Sequence, residues 1–277
     1  MGNKIDLDEA DFLEYFADDP LTRVILIYQE GARDGRRLLQ ALRQSCRKKP
    51  VVILKSGRTP LGKIATFSHT ASLSGEDGLY DAAFSQAGAI RAANLTEMIE
   101  ITKVLATQPP MPGRSVGVLS TSGSLGAMTA DAIFEEGLQL ASWSQSTFAK
   151  VRQVAPDWVN VKNPMDIGPS GIFPTALEAV FSDPNADGYV LIPVIPYAII
   201  EIWQRVGVPI QKILGNWPQL RTEAKGKPVV TVLLGGKEWL DQLKELGGDA
   251  IAAVSSPEAA AKALAALARI YQLQNAD

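Results

Sequence analysis

Residues 24–28 (VILIY) form a continuous apolar run, and residues 50–55 (PVVILK) form a second one. Runs of this kind are typical of parallel strands that are buried on both faces of a sheet. Between them, residues 34–47 place three leucines on one face of a basic amphipathic helix. A helix between two buried strands predicts a βαβ unit. The same alternation resumes after residue 113, so the sequence predicts an α/β fold with a parallel sheet in each half.

The segment 108–113 (QPPMPG) separates the two halves. Three prolines and a glycine in six residues cannot continue a helix or a central strand. We therefore predict two domains, one over residues 1–108 and the other over residues 113–277.

The two halves share a short pattern around their strands. An Asp-Pro pair precedes one strand and Lys-Pro-Val-Val opens the next, at residues 16–20 with 49–52 and again at 181–184 with 227–230. The second half is longer at its front, because the strand, Ser-Gly turn and helix predicted over 116–134 have no counterpart before Asp6. We therefore expect the first domain to be truncated at its N-terminus or completed by another chain. The edge strand left in this way would have unpaired N–H and C=O groups.

The composition is that of an ordinary globular protein: 277 residues, 46% hydrophobic, 21% charged and a net charge of -3. This balance favours neither nucleic acid nor an anionic membrane as a partner, and the acidic N-terminus lacks a signal-peptide core. Cys46 is the only cysteine, so no intrachain disulfide can form. With one cysteine and one histidine, no structural zinc site is expected. The expected compartment is the cytoplasm.

Residues 66–77 (TFSHTASLSGED) hold His69, the only histidine of the chain. The surrounding small polar residues and Gly75 predict a loop, rich in hydroxyls and backbone N–H donors, that suits an anion. Our hypothesis is that His69 is a nucleophile that takes up a phosphoryl group and carries it. The alternative is a solvated loop histidine without a role.

Glu30 is the carboxylate that we expect to support His69. Phosphorylation of one imidazole nitrogen requires the other to be held as a donor, which a carboxylate does well. Glu30 follows the first predicted strand at its carboxyl end, where α/β sheets bind ligands. Glu76 and Asp77 are local competitors, and the alternative is that Glu30 is only a solvated residue after a strand.

Two further segments are candidate parts of the site. In residues 120–126 (STSGSLG), a strand leads through Ser122, Gly123 and Ser124 into a helix, which predicts an anion site at the helix N-terminus. The segment is neither a P-loop nor a dinucleotide-binding fingerprint. The second segment, residues 163–168 (NPMDIG), is either a rigid turn or a loop in which Asn163 and Asp166 line the phosphate or an interface.

Taken together, these segments resemble the NDP-forming acyl-CoA synthetases, the superfamily of ADP-forming acetate–CoA ligase and succinyl-CoA synthetase. The matching segments of the histidine-bearing domain are residues 2–4 (GNK), 11–13 (DFL), 30–31 (EG), 50–58 (PVVILKSGR), 68–70 (SHT) and 80–84 (YDAAF). From about residue 113, the chain resembles the C-terminal domain of the succinyl-CoA synthetase β subunit. The resemblance implies two flavodoxin-like domains.

The resemblance also implies a reaction, in which acyl-CoA and phosphate give an acyl phosphate and free CoA. The histidine then takes the phosphoryl group, releases the acid and phosphorylates ADP on an ATP-grasp domain. His69 would be the phosphohistidine and Glu30 its supporting carboxylate. Ser122, Gly123 and Ser124 would head one of two helices that point at the phosphate.

The chain lacks the family's CoA-binding Rossmann domain and its ATP-grasp domain, so these are the expected partners. CoA, ATP or ADP and Mg²⁺ would act through those domains, and no cofactor is expected to be bound tightly here. The chain alone is expected to be inactive, and a homo-oligomer stays open. Two alternatives also stay open: a binding or regulatory module of the same ancestry, as in acyltransferase fusions, and a flavodoxin-like domain pair without phosphate chemistry.

Overall fold

The computed structural model describes residues 6–70, 75–194, 201–202, 205–208, 224, 226–237, 240–241 and 252–275, with the side chains of residues 69 and 70 excepted. The chain divides into two compact units. The first comprises Met1–Ala106 with Arg269–Asp277, and the second comprises Thr107–Ala268. The division at Thr107 lies next to the proline-rich segment 108–113. Arg269–Asp277 group with the first unit, whereas the predicted second domain extended to residue 277, because Leu273 packs against the first unit's core.

The first unit contains a three-stranded parallel sheet in the order β1-β2-β3. Its elements are α1 (Glu9–Asp18), β1 (Ile25–Gln29), α2 (Gly35–Lys48), β2 (Val51–Lys55), α3 (Pro60–Thr70), α4 (Asp77–Ala87), β3 (Ile90–Ala92) and α5 (Leu95–Thr107). Core side chains from α1, α2, β2 and α4 pack together, with Leu13, Leu42, Ile53 and Phe84 at the centre.

The second unit contains a six-stranded parallel sheet in the order β5-β4-β7-β8-β9, with β6 also pairing with β4. Its elements are β4 (Ser115–Ser120), α6 (Gly123–Glu135), β5 (Gln139–Leu140), α7 (Gln145–Arg152), β6 (Met165–Asp166), α8 (Phe173–Phe181), β7 (Gly188–Ile192), β8 (Val229–Val232), β9 (Ala252–Val254) and α9 (Pro257–Gln274). The predicted α/β class is confirmed. Segment 163–168 was predicted as a loop, but it contains the strand β6. The sequence also predicts helices over residues 201–214 and 239–246, and both segments fall mainly outside the described residues.

The helix α3 corrects the prediction of a loop from residue 66 onward. Thr59 caps the helix start, because its hydroxyl oxygen accepts the Gly62 amide at 3.1 Å, and Pro60 takes the first helical position. The Thr66 hydroxyl donates to the Gly62 carbonyl at 2.8 Å, and Ser68 makes the same kind of bond to Ile64 at 3.0 Å. Hydroxyls that bond the carbonyl four residues earlier are compatible with a helix. The polar composition of residues 66–70 was therefore a misleading loop signal.

The repeated sequence pattern corresponds to a repeated structure. The Lys49 ammonium group donates to the carbonyls of Phe16, at 2.9 Å, and Asp19. Lys227 occupies the matching position in the second unit and donates to the Asp183 carbonyl at 3.0 Å. Lys49 therefore lies before β2 and bonds to the Asp-Pro turn before β1. Lys227 lies before β8 and bonds to the Asp-Pro turn before β7.

The exposed face of β1 differs from its counterpart in the second unit. β1 is an edge strand, and Leu26 and Tyr28 are 45% and 59% exposed. The matching strand β7 lies between β4 and β8, and all five of its residues are buried. The prediction that β1 is a buried strand is therefore wrong for the face that holds Leu26 and Tyr28, because an apolar run alone does not show whether another layer covers each face of a sheet.

Cys46 is expected to be chemically inert in the folded chain. Its side chain is buried on α2, and burial raises the pKa of the thiol to about 12, against about 8.5 for an exposed cysteine. At pH 8 we expect the native chain to react with Ellman's reagent at least about 100-fold more slowly than the unfolded chain. The thiol loses its proton more readily in the unfolded chain. The free energy of unfolding should therefore fall as pH rises from about 8.5 towards 12. Equal reaction rates would contradict the burial of this thiol.

Candidate active site

The carboxyl ends of β1 and β2 lie side by side and define the candidate site in the first unit. The Ser56 amide donates to the Gln29 carbonyl at 3.0 Å, which extends the strand pairing by one residue. Glu30 directly follows β1, and α3, which carries His69, begins four residues after β2 ends. Glu30 and the start of the helix that carries His69 therefore both lie at the carboxyl ends of the strands, where α/β sheets bind ligands.

The backbone and the side chain of Glu30 both have partners at this edge. Its carbonyl accepts a hydrogen bond of 2.8 Å from the ammonium group of Lys55. Its half-buried carboxylate accepts one of 3.3 Å from the Tyr28 hydroxyl. The predicted position of Glu30 at the strand end is observed, and its backbone is held there by a charged donor.

His69 occupies the penultimate position of α3. Its imidazole, together with residues 71–74, lies outside the described part of the chain. Contact between the imidazole and Glu30 therefore stays a prediction.

The two local competitors of Glu30 form ion pairs with cations. Glu76 lies 3.3 Å from the Lys63 ammonium group, and Asp77 lies 2.6 Å from the Arg91 guanidinium. Arg91 also pairs with Asp81 at 3.1 Å. These pairs account for the positions of the competing carboxylates without a role for them at His69.

Gly75 has a positive φ of 66°, which favours glycine. A Cβ atom at this position would lie 3.1 Å from the ring of Tyr80. Gly75, six residues after His69, therefore has a backbone conformation and close neighbours that favour a residue without a side chain.

Lys55 and Tyr80 are the residues that our sequence reasoning missed at this edge. Lys55 is the last residue of β2 and is only 3% exposed, and its ammonium group lies 4.7 Å from the Tyr80 ring centroid. A lysine that directly ends an apolar strand run was the available signal, since buried lysines are rare.

The serine turn of the second unit has the geometry expected of an anion site. Ser122 is the N-cap of α6, but its side chain makes no capping hydrogen bond and lies 3.2 Å from the Ser124 hydroxyl. The Ser120 hydroxyl accepts from the Ser122 amide at 2.9 Å and donates to the Ser122 carbonyl at 2.8 Å. Gly123 and Ser124 are exposed. The start of α6 therefore presents uncapped backbone amides, which attract negative charge.

The segment 163–168 contributes to the second unit in two ways. A carboxylate oxygen of Asp166 lies 2.7 Å from the position that a Cβ on Gly123 would take, so Asp166 lies against the start of α6. The Asn163 side chain instead bonds to backbone: its amide nitrogen donates to the carbonyls of Val116 and Ala141, both at 2.8 Å. Its oxygen accepts from the Val118 amide at 3.0 Å. Asn163 thus has a structural role, and Asp166 is the member of this segment that adjoins the candidate anion site.

The candidate residues therefore form two groups. Glu30, Gly75 and the helix that carries His69 belong to the first unit, and Ser122, Gly123, Ser124 and Asp166 belong to the second. In the part of the chain that the structure describes, no group of three or more acidic, histidine or cysteine side chains could hold a metal ion. None of the described helices is both long and apolar enough to cross a membrane.

Comparisons with known proteins give consistent matches. Residues 1–105 match the family model of the succinyl-CoA ligase like flavodoxin domain. An ADP-forming acetate–CoA ligase of Methanocaldococcus jannaschii is 40% identical over 167 residues, which cover 60% of this chain and 24% of that protein. The α subunit of ADP-forming acetate–CoA ligase I of Pyrococcus furiosus is 34% identical over 273 residues, which cover 96% of this chain and 56% of the subunit.

A solved structure extends the comparison to the fold. The dinucleotide-forming acetyl-coenzyme A synthetase 1 of Ca. Korarchaeum cryptofilum, in complex with phosphate and ADP, matches with a TM-score of 0.81 and 28% identity. The match covers 97% of this chain and 57% of that one. The chain thus spans between a quarter and three fifths of the length of these relatives. It is homologous to the α subunits of the ADP-forming acetate–CoA ligases, and its first 105 residues match their succinyl-CoA ligase like flavodoxin domain.

Proposed function

We propose that this chain is part of an NDP-forming acyl-CoA synthetase, which converts acyl-CoA, ADP and phosphate into the acid, CoA and ATP. His69 is its phosphoryl carrier and Glu30 orients the imidazole. The observation that carries the proposal is the 34% identity, over 96% of this chain, to an α subunit of ADP-forming acetate–CoA ligase. Glu30 lies where the helix that bears His69 begins, and His69 lies nine residues further along that helix. The homologous α subunits support the same reaction class.

The chemistry at His69 requires a neutral imidazole with one nitrogen free to attack. Its lone pair attacks the phosphorus of the acyl phosphate, a P–N bond forms, and the P–O bond to the acyl group breaks. The departing carboxylate keeps that electron pair, and Glu30 accepts a hydrogen bond from the other imidazole nitrogen. An ADP oxygen then attacks the phosphorus, the P–N bond breaks, and His69 returns to its neutral form.

The amides at the start of α6 supply the second part of the proposed site. Gly123 and Ser124 are exposed at the start of the helix, and the hydroxyls of Ser122 and Ser124 lie beside them, 3.2 Å apart. A helix terminus stabilises a nearby anion by roughly 0.3–2 kcal/mol. We propose that these groups bind a phosphoryl group, and the Asp166 carboxylate beside Gly123 would disfavour a second anion there.

The partners in this proposal are a CoA-binding Rossmann domain and an ATP-grasp domain or subunit. Two observations on β1 support a partner segment: it is the terminal strand of the described first sheet, and its Leu26 and Tyr28 are exposed on one face, whereas the matching Val190 and Ile192 of β7 are buried. In the second unit that edge is covered by β4, the strand that leads into the serine turn. A strand and helix like β4 and α6 would complete the first sheet in the same way.

CoA, nucleotide and Mg²⁺ would be bound by those partner domains. Within the described residues no carboxylate cluster suits a metal ion, so no step on this chain is assigned to one. We therefore propose that the chain is inactive without its partners. A binding or regulatory module of the same ancestry is the alternative.

The test combines the chain with an ATP-grasp domain of an ADP-forming acyl-CoA synthetase and γ-³²P-labelled ATP with Mg²⁺. We expect label on the chain that is labile in acid and stable in base, as a phosphoramidate is, and no label on the His69→Ala variant. Because His69 is the only histidine, no second histidine can take its place. Label that persists in His69→Ala would exclude His69 as the carrier. A wild-type chain without label would favour the regulatory module.

A further inference from the structure

Lys55 is a buried cation whose partners are mainly backbone atoms. It is 3% exposed, and its ammonium group donates to the Glu30 carbonyl at 2.8 Å and to the Ser56 carbonyl. Its third contact is the face of the Tyr80 ring, 4.7 Å away. Among the described residues, no carboxylate lies within ion-pair distance of this ammonium group.

A buried ammonium group is unfavourable unless its surroundings compensate for lost hydration. Burial lowers the pKa of Lys55, and so do the charges of Arg91 and Lys63, whereas Asp77 and Glu30 raise it. A methionine would fill similar space without this cost, so packing alone does not account for a lysine here. The ammonium group makes two hydrogen bonds to carbonyls, which an apolar side chain could not make.

Tyr80 extends these contacts to two further segments of the same edge. Its hydroxyl accepts a hydrogen bond of 2.8 Å from the Ala32 amide. Its ring lies against Gly75, where an added Cβ would approach to 3.1 Å. Lys55 and Tyr80 together therefore contact Glu30 and Ala32 after β1, Ser56 after β2, and Gly75.

We propose that Lys55, acting with Tyr80, is a positioning residue for phosphoryl transfer, because it holds the backbone of Glu30 in place while Tyr80 contacts Gly75 and the Ala32 amide. The inference rests on the proposed function. Lys55 acts through Glu30 and does not itself contact the phosphoryl group. Its role differs from that of an ordinary buried lysine in one respect: its loss should slow labelling of His69 even in a chain that remains folded.

Lys49 provides a matched control for this proposal. It also donates to two backbone carbonyls, those of Phe16 and Asp19, but it precedes β2 and so lies at the opposite end of that strand from Lys55. Lys55→Met and Lys49→Met should therefore both weaken the fold. Only Lys55→Met should affect the histidine site.

The experiment measures the initial rate of ³²P transfer to folded chains as the concentration of labelled ATP is varied. We expect Lys55→Met to lower the maximal rate about 10- to 100-fold with little change in the ATP concentration for half-maximal rate, because misplaced groups slow the chemical step. Lys49→Met should keep the wild-type rate. A wild-type rate in Lys55→Met, or an equal loss in both variants, would overturn the proposal.

A second readout does not depend on the labelling reaction. Hydrogen exchange at the Ala32 amide should become at least about tenfold faster in Lys55→Met and in Tyr80→Phe, but not in Lys49→Met, because local opening follows the loss of local contacts. If the wild-type chain takes no label, the proposed function has failed, and exchange then tests only whether Lys55 holds the backbone after β1 in place. Unchanged exchange at Ala32 in Lys55→Met would then refute the positioning role.

Discussion

Replacing Asn163 with leucine is expected to destabilise the second unit by about 2–6 kcal/mol. Leucine has the same branched arrangement of heavy atoms as asparagine, but its side chain neither donates nor accepts a hydrogen bond. The Val118 amide and the Ala141 carbonyl would lose the partners that the Asn163 side chain provides at 3.0 and 2.8 Å. Each unsatisfied buried backbone group costs about 1–3 kcal/mol.

The position of these groups explains why the effect should be large. Val118 is the fourth residue of β4, which pairs with three strands of the sheet. Val118 and Ala141 are buried, so water cannot readily replace the lost bonds. The Val116 carbonyl, the third partner, would be affected less, because it also accepts from the Ala141 amide at 2.9 Å.

The measurement is urea unfolding followed by circular dichroism, with Asn160→Leu as the matched control. Asn160 lies three residues earlier and is exposed, and its side chain accepts one local hydrogen bond from the Lys162 amide at 3.1 Å. We expect the control to change the free energy of unfolding by less than about 0.5 kcal/mol. Similar midpoints for the two variants would show that the Asn163 side chain does not hold these strands together.

Most of the fold could be predicted from local sequence patterns. The apolar runs at residues 24–28 and 50–55 correspond to β1 and β2, and the basic helix between them is α2. The repeated Lys-Pro motif also identified equivalent positions, since Lys49 and Lys227 make equivalent contacts with the preceding Asp-Pro turn. These features were predictable because periodicity and turn residues act within a few positions of the chain.

Other features depend on tertiary contacts that a sequence does not display. The composition of residues 66–70 was itself misleading, since in α3 the Thr66 and Ser68 hydroxyls bond carbonyls one turn earlier. The role of Asn163 depends on strands up to 47 residues away. Lys55 was noticed only as the end of a strand, because its partners Glu30 and Tyr80 lie on separate elements.

The candidate site was predicted in part, and its two halves differ in how much could be inferred. The strand-to-helix order correctly placed Glu30 at the carboxyl end of β1 and Ser122 at the start of α6. The approach of Asp166 to Gly123 could not be inferred, since it depends on the pairing of β6 with β4. A local pattern thus identifies a strand end or a helix end, and tertiary structure decides which side chains meet there.

Replacing Glu30 with glutamine is expected to slow phosphorylation of His69 about 100-fold or more. Glutamine keeps the size of the side chain and an acceptor oxygen but removes the charge. A neutral acceptor holds the imidazole N–H less strongly and does not compensate the positive charge that develops on the ring during attack. General acid–base and orienting groups of this kind typically contribute about 10²–10⁴-fold.

The controls are the two neighbouring carboxylates, changed in the same way. Glu76 forms an exposed pair with Lys63, and Asp77 forms a partly buried pair with Arg91. Because neither carboxylate is proposed to orient the imidazole, we expect Glu76→Gln and Asp77→Asn each to keep the labelling rate within about threefold of wild type. Rates are compared by ³²P transfer from labelled ATP, with the ATP-grasp domain in excess.

The same variants can be compared by a measurement on the imidazole itself. A chain labelled with ¹⁵N-histidine gives the signals of one imidazole only, because His69 is the sole histidine. If Glu30 accepts its N–H, the wild-type ring should favour one neutral tautomer, and Glu30→Gln should weaken that preference while the two controls preserve it. A ring that shows the same tautomer balance in all four chains, together with unchanged labelling in Glu30→Gln, would mean that another group orients His69. The position of Glu30 at the strand end would then be a consequence of the fold alone.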